Sequence, residues 1–177
     1  MRIISGLHKG RRIIAPKKLP ARPTTDIAKE ALFNIISNHY EFESIDVLDL
    51  FSGTGNISYE FSSRGANSIH CVDQNKNCTK FITNTAFKLN MAIQINCNDV
   101  FKYLKTNYNK YDIIFADPPY DIVQTELEKL VNLIINNRLI KKDGVCIIEH
   151  SKHKSMSKMK NFIELRTYGG SCFSFFK

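Results

Sequence analysis

From Ile45 onward, short apolar runs alternate with stretches of helical periodicity. Residues 46–51, 68–72, 93–97, 112–116 and 145–148 are brief, apolar and partly β-branched, which predicts strands. Between them lie helical patterns: residues 56–64, then Cys78, Phe81, Ile82, Thr85 and Leu89, and later 125–136 with Leu127, Leu130, Val131 and Ile134. Strand–helix alternation of this kind predicts an α/β fold, a mainly parallel sheet with helices on both faces. The tail differs. Residues 162–168 and 172–176 lie on either side of Gly169-Gly170, which predicts an antiparallel hairpin at the sheet edge.

The first residues follow other rules. Ile3-Ile4-Ser5 and Arg12-Ile13-Ile14 flank a glycine-bounded loop, Gly6 to Gly10, and read as a small β-hairpin. Residues 15–23 hold three prolines and read as extended. Ala28, Ala31, Leu32, Ile35 and Ile36 then keep helical spacing, with Thr25 as N-cap and Asp26 at the positive end of the helix dipole. The chain therefore divides into a hairpin appendage, 1–25, and an α/β domain, 26–177.

Charge sharpens that division. The net charge is +8, yet residues 1–25 alone carry seven basic groups and no acid. Such density repels itself unless phosphates neutralise it, so Arg2, Lys9, Arg11, Arg12 and Arg22 become candidates for contacting a nucleic acid. A smaller basic stretch holds Lys152, His153, Lys154, Lys158 and Lys160. The five cysteines form no C-x-x-C pair, so no metal site and no disulfide framework is expected. No apolar run approaches the roughly 18 residues that span a membrane, and the N-terminus lacks a secretory pattern. A cytoplasmic protein is expected.

The candidate chemistry sits at strand ends. Asp49-Leu50-Phe51-Ser52-Gly53-Thr54-Gly55 follows the first strand of the α/β domain and opens a helix, where open parallel sheets bind ligands. Gly53 and Gly55 allow a tight turn and close approach. The third glycine of a dinucleotide fingerprint is replaced by Ser58. Asp49 near this loop favours a cationic ligand such as S-adenosylmethionine over a diphosphate. Asp73 ends the next strand, placed either to accept two ribose hydroxyls or to cap a helix. Asn98, Asp99 and Val100 end the third, where Asp99 either meets an adenine amino group or caps the helix beginning at Val100.

Asp117-Pro118-Pro119-Tyr120, after the fourth strand, is the most specific signal. The prolines stop the ladder, fix two φ angles and remove two donors. What remains is a rigid ledge of acceptors, the Asp117 carboxylate and the Pro118 carbonyl, beside a flat aromatic ring. Two acceptors match the two in-plane N–H groups of an exocyclic base amine, and the ring can stack on the base.

With these motifs in place, the chain resembles the RsmD family, which methylates N2 of a guanine in small-subunit (16S) ribosomal RNA. The resemblance rests on Arg2-Ile3-Ile4-Ser5-Gly6 with Gly10-Arg11-Arg12, on Arg22-Pro23-Thr24-Thr25-Asp26 with Lys29-Glu30-Ala31-Leu32-Phe33-Asn34, on the glycine loop, on Asp117–Tyr120 and on Glu149. It implies a Rossmann-like class I methyltransferase with a seven-stranded, mostly parallel sheet whose last strand is antiparallel. It implies Asp117, Pro118, Pro119 and Tyr120 at the catalytic ledge. S-adenosylmethionine would lie against Asp49, Phe51, Gly53, Gly55, Asp73, Asn98, Asp99 and Val100. The expected partner is ribosomal RNA or the small ribosomal subunit particle, met by a monomer and without a membrane. Two other readings stay open: a DNA methyltransferase acting on adenine N6 or cytosine N4, and a non-catalytic RNA-binding module.

Overall fold

The computed structural model describes residues 1–16, 18–19 and 25–177. Seven strands form one sheet: β1 (Asp46–Leu50), β2 (Ser68–Asp73), β3 (Gln94–Cys97), β4 (Tyr111–Ala116), β5 (Ile140–Ser151), β6 (Phe162–Tyr168) and β7 (Ser171–Phe176). Their order is β3-β2-β1-β4-β5-β7-β6. Strands β1 to β5 run parallel, while β7 is antiparallel to both of its neighbours, β5 and β6. The tail hairpin therefore inserts its second arm into the sheet and leaves β6 at the edge. Composition explains the choice. β7 (Ser-Cys-Phe-Ser-Phe-Phe) has no charged residue and is buried throughout, whereas β6 carries two charged residues, the half-buried Glu164 and the exposed Arg166.

Among the described residues five α-helices cover the faces: α1 (Asp26–Ser37), α2 (Asn56–Ser63), α3 (Lys76–Lys88), α4 (Val100–Thr106) and α5 (Gln124–Asn136). The period of two along each strand sorts the core. Leu48, Leu50, Ile114, Ala116, Cys146 and Ile148 pack on one face with Leu104 of α4 and Leu127, Leu130 and Ile134 of α5. Val47, Ile113, Phe115, Val145 and Ile147 pack on the other, against α1 and α2. Among the described residues no helix is long and apolar enough to cross a membrane.

Thr25 caps α1 as expected, accepting from the Ala28 N–H. The buried stripe of α1 is turned from the expected one. It contains Ala28, Lys29, Leu32, Phe33 and Ile36, while Ala31 and Ile35 are only partly covered. A charged residue thus takes a core position that the apolar spacing gave to others. Strand β5 begins earlier than its apolar run, at Ile140. It pairs Ile140 with Tyr111 and Val145 with Ile113, so a polar excursion opposes Asp112. Lys141 holds that excursion by bonds of 2.7 Å to both Asp46 and Asp112.

The expected N-terminal hairpin is reduced to a single antiparallel bridge, Arg2 to Arg12. Hydrogen bonds from Ile3 N–H to the Arg11 carbonyl and from Gly10 N–H to the Ile3 carbonyl complete it. The segment is docked along α2. Leu7 N–H donates to the Ser63 carbonyl at 2.7 Å, and Ser63 Oγ donates to the Ser5 carbonyl at 2.6 Å. Gly6 lies so close that a Cβ would fall 1.7 Å from the Ser63 carbonyl oxygen, and its φ of +81° is one that glycine tolerates. Ile3 and Ile13 are buried beside Tyr59, Cys71 and Ile82. The extended reading of 15–23, and Arg22 with it, lies largely outside the described residues.

Candidate active site

Strand order reverses between β1 and β4, and a cleft of about 820 Å³ opens there at the carboxyl ends of the parallel strands. Its wall includes Asp49, Phe51, Gly53, Asp73, Asp99, Val100, Asp117, Pro118, Pro119 and Tyr120. Nearly the whole expected set is therefore brought to one place. Gly55 and Asn98 are the exceptions. Gly55 is buried in the turn behind the wall. Asn98 is exposed, and it lies beside the cleft rather than in its wall.

The loop after β1 turns by positive φ at three residues: Phe51 (57°), Gly53 (53°) and Gly55 (81°). Phe51 thus leaves the strand, which ends at Leu50, and its ring meets that of Phe101 edge-on. A Cβ on Gly55 would sit 2.8 Å from the Tyr59 ring, so the turn is closed by packing as well as by φ. Asp73 fixes the same loop. One carboxylate oxygen accepts the Gly53 N–H at 2.8 Å and the other accepts the Asn75 N–H at 2.8 Å. Asp99 does cap α4, accepting from Lys102 N–H at 2.9 Å, and it also faces the cleft. The two roles left open for it are compatible.

Strand register gathers the acids. Asp49 lies on the same sheet face as Val47, so it points toward α2, where Ser58 gives it a side-chain bond of 2.5 Å and a backbone bond of 3.2 Å. Asp117 follows Phe115 on that face, and Glu149 follows Ile147. Ala116 pairs with Ile148, which sets Asp117 beside Glu149. The Asp117 N–H still donates to the Leu50 carbonyl, so the ledge is held as the last rung of the ladder. Three carboxyl groups thus share one corner, Asp49 and Glu149 buried and Asp117 partly open to the cleft. Burial pushes Asp49 up to about 7 despite the Ser58 bonds. Burial, with Glu149 and Asp49 adding repulsion, holds Asp117 well above the usual carboxylate range. Carboxyl groups raised in this way are poised to receive positive charge.

Tyr120 is half exposed at the mouth of the cleft, its relative exposure 51 %, leaving surface for a flat ring to lie against. Thr54, Asn56 and Asn75 also line the cleft and were not singled out from sequence. Position just after the glycines was the one available signal for Thr54 and Asn56. Arg2, Lys9, Arg11 and Arg12 are all exposed. The four buried cysteines and exposed Cys97 are free thiols.

The family model described as "Conserved hypothetical protein 95" matches residues 1–177. The chain is 33% identical over 166 residues to the ribosomal RNA small subunit methyltransferase D of Buchnera aphidicola subsp. Baizongia pistaciae, covering 92% of this chain and 83% of that one. It is 36% identical over 163 residues to the protein of the same name from Buchnera aphidicola subsp. Acyrthosiphon pisum, with 90% and 83% covered. Among solved structures, a hypothetical protein of Thermus thermophilus superposes with a TM-score of 0.87 at 20% identity, covering 100% of this chain and 99% of its own.

Proposed function

The chain belongs to the RsmD family, and on that premise we propose that it transfers a methyl group from S-adenosylmethionine to the exocyclic N2 amine of a guanine in small-subunit ribosomal RNA. The observation that carries this reading is the Asp117–Tyr120 ledge, set by register beside Glu149 and opening into the cleft shared with the glycine loop. The cleft suits the cofactor by its chemistry. It offers acidic groups at Asp49, Asp73 and Asp99, and apolar wall at Ile57 and Val100, which matches a cationic nucleoside better than a diphosphate. Asp73 would hold the ribose hydroxyls, Asp99 and Val100 the adenine, and Asp49 the charged amino-acid end.

When bound, S-adenosylmethionine supplies an electrophilic methyl group on a sulfonium. The protein's own task is to make a weak nucleophile competent. The guanine amine delocalises its lone pair into the ring. Asp117 and the Pro118 carbonyl accept its two N–H groups and orient the nitrogen, while Tyr120 stacks on the base. Positive charge builds on that nitrogen during attack, so these acceptors stabilise the transition state more than the ground state. Holding both reactants in register contributes on the order of 7–11 kcal/mol. The base must be unpaired or flipped out to reach the ledge. The protein works as a monomer on RNA or on the assembling small-subunit particle, in the cytoplasm.

The deciding assay is transfer of labelled methyl to ribosomal RNA, small-subunit particles and duplex DNA, followed by nucleoside analysis. We expect N2-methylguanine from the ribosomal substrates and nothing from DNA. Label appearing as N6-methyladenine or N4-methylcytosine in DNA would replace this reading with the DNA one. No transfer to any substrate, with cofactor bound, would favour a binding module.

The basic hairpin is assigned to RNA phosphates. Arg11 and Arg12 are exposed, and the bonds by which they join the hairpin are made by their backbone groups, so alanine at both leaves the fold intact. Arg11→Ala with Arg12→Ala should weaken RNA binding and flatten its log–log salt dependence by roughly 0.7–0.9 per lost contact. Cofactor affinity should stay the same. An unchanged salt slope in a filter-binding series would show that these charges are merely solvated.

A further inference from the structure

Lys29 is the one cation on the buried face of α1, and its side chain has no exposed surface. A buried ion pair contributes little net stability over a pair of apolar residues of similar volume, because lost hydration offsets most of the attraction. What it provides is direction. Its three N–H bonds reach acceptors on two segments far apart in sequence. Nζ lies 2.6 Å from the Arg2 carbonyl, 2.8 Å from Asn56 Oδ1 and 3.4 Å from a Glu60 oxygen. Arg2 belongs to the basic hairpin. Asn56 follows Gly55 directly and lines the cleft. Glu60, one turn further along α2, accepts the backbone N–H groups of Ile4 and Ser5 at 2.8 and 3.0 Å and the Arg64 side chain at 2.9 Å. Two further contacts reach from the hairpin to the ends of this stretch. The Thr54 hydroxyl lies 3.8 Å from Met1 Sδ, and Ser63 Oγ accepts the His8 N–H.

We propose that Lys29 is a positioning residue for the cofactor cleft, holding Asn56 and the start of α2 against the N-terminal hairpin. The hairpin and the glycine loop then move as one body, and cofactor affinity depends on a residue that never touches the cofactor. This rests on reading the cleft as an S-adenosylmethionine site. Because Lys29 has no surface in the cleft, any effect it has on binding passes through its partners, and Asn56 is the partner in the wall.

The test is calorimetric titration of the full chain with S-adenosylhomocysteine, alongside methyl-transfer kinetics. Wild type is compared with Lys29→Met, Asn56→Ala, the double variant and Lys29→Arg. Lys29→Met should raise Kd and the cofactor KM about ten-fold, roughly 1.4 kcal/mol, with kcat at saturation within about two-fold. Lys29→Arg should recover most of the affinity. The double variant should be no weaker than the weaker single one, the non-additivity expected of residues acting through one contact. A folded Lys29→Met protein with wild-type Kd, or simple additivity, overturns the proposal. Should Lys29→Met fail to fold, Asn56→Ala keeps the Lys29–Glu60 pair and decides alone: an unchanged Kd overturns it. Wild type that binds no S-adenosylhomocysteine removes the cofactor reading itself, and this proposal with it.

Discussion

Asp117→Ala is expected to lower turnover by about 100- to 1000-fold, the usual cost of removing one preorganised partner of developing charge, while cofactor affinity stays within about three-fold. The carboxylate is assigned to the amine, and its backbone N–H, bonded to the Leu50 carbonyl, survives the change, so the ledge keeps its place. Single-turnover kinetics with saturating cofactor and calorimetry separate the two effects. A variant that loses cofactor binding but turns over normally once saturated would move Asp117 to the cofactor. The raised proton affinity of Asp117 adds a pH signature. Only the ionised group is a full acceptor, and burial beside Glu149 favours the protonated form. Turnover should therefore climb as pH rises through its titration. Asp117→Asn keeps an acceptor oxygen, so it should retain part of the rate and lose that climb.

Asp73→Ala should act on the other substrate. Loss of charged hydrogen bonds to ribose costs roughly 1.5–3 kcal/mol, which is about 10- to 150-fold in Kd. The variant also frees the Gly53 N–H, since Asp73 now holds it at 2.8 Å. Asp73→Asn keeps an acceptor for that N–H but not the charge. Comparing the two by isothermal titration therefore distinguishes loop support from ribose binding. Full recovery in Asp73→Asn would assign the residue to the loop, and an unchanged Kd in Asp73→Ala would place the ribose elsewhere. In both carboxylate variants kcat at saturation should divide them cleanly: low for Asp117→Ala, near wild type for Asp73→Ala.

The strand ends were legible because chemistry there is written in residue type. A glycine turn, an acid at each of four strand ends and two prolines that stop a ladder leave few arrangements, and Asp49, Asp73, Asp99 and Asp117 meet in one cleft accordingly. Asn98 was grouped with Asp99 by adjacency, but the chain turns between β3 and α4 and leaves it exposed. The core position of Lys29 is not legible in the motif that contains it, because periodicity follows apolar residues and a lysine counts against the stripe it occupies. Its partners lie on α2 or on a backbone carbonyl of the hairpin, which no local spacing records. The early start of β5 was hidden for a similar reason. Lys141 is polar in sequence and becomes a sheet residue through Asp46 and Asp112, which lie on other strands.

The position of β7 bears on how the protein is made. Of the seven strands it is the latest in chain order, yet it sits between β5 and β6 rather than at a margin. Until residues 171–176 have been synthesised and released from the exit tunnel, β5 shows an open edge and β6 has no partner in the sheet. Ile147, Phe115 and the rest of that layer likewise wait for Phe173 and Phe175. A nascent chain stalled before this point would carry a hydrophobic margin able to pair with another chain. Closure depends on contacts distant in sequence and so is slow by nature. Residues 171–176 thus cover the β5 edge, pair β6 and complete the Phe115–Ile147 layer in a single step.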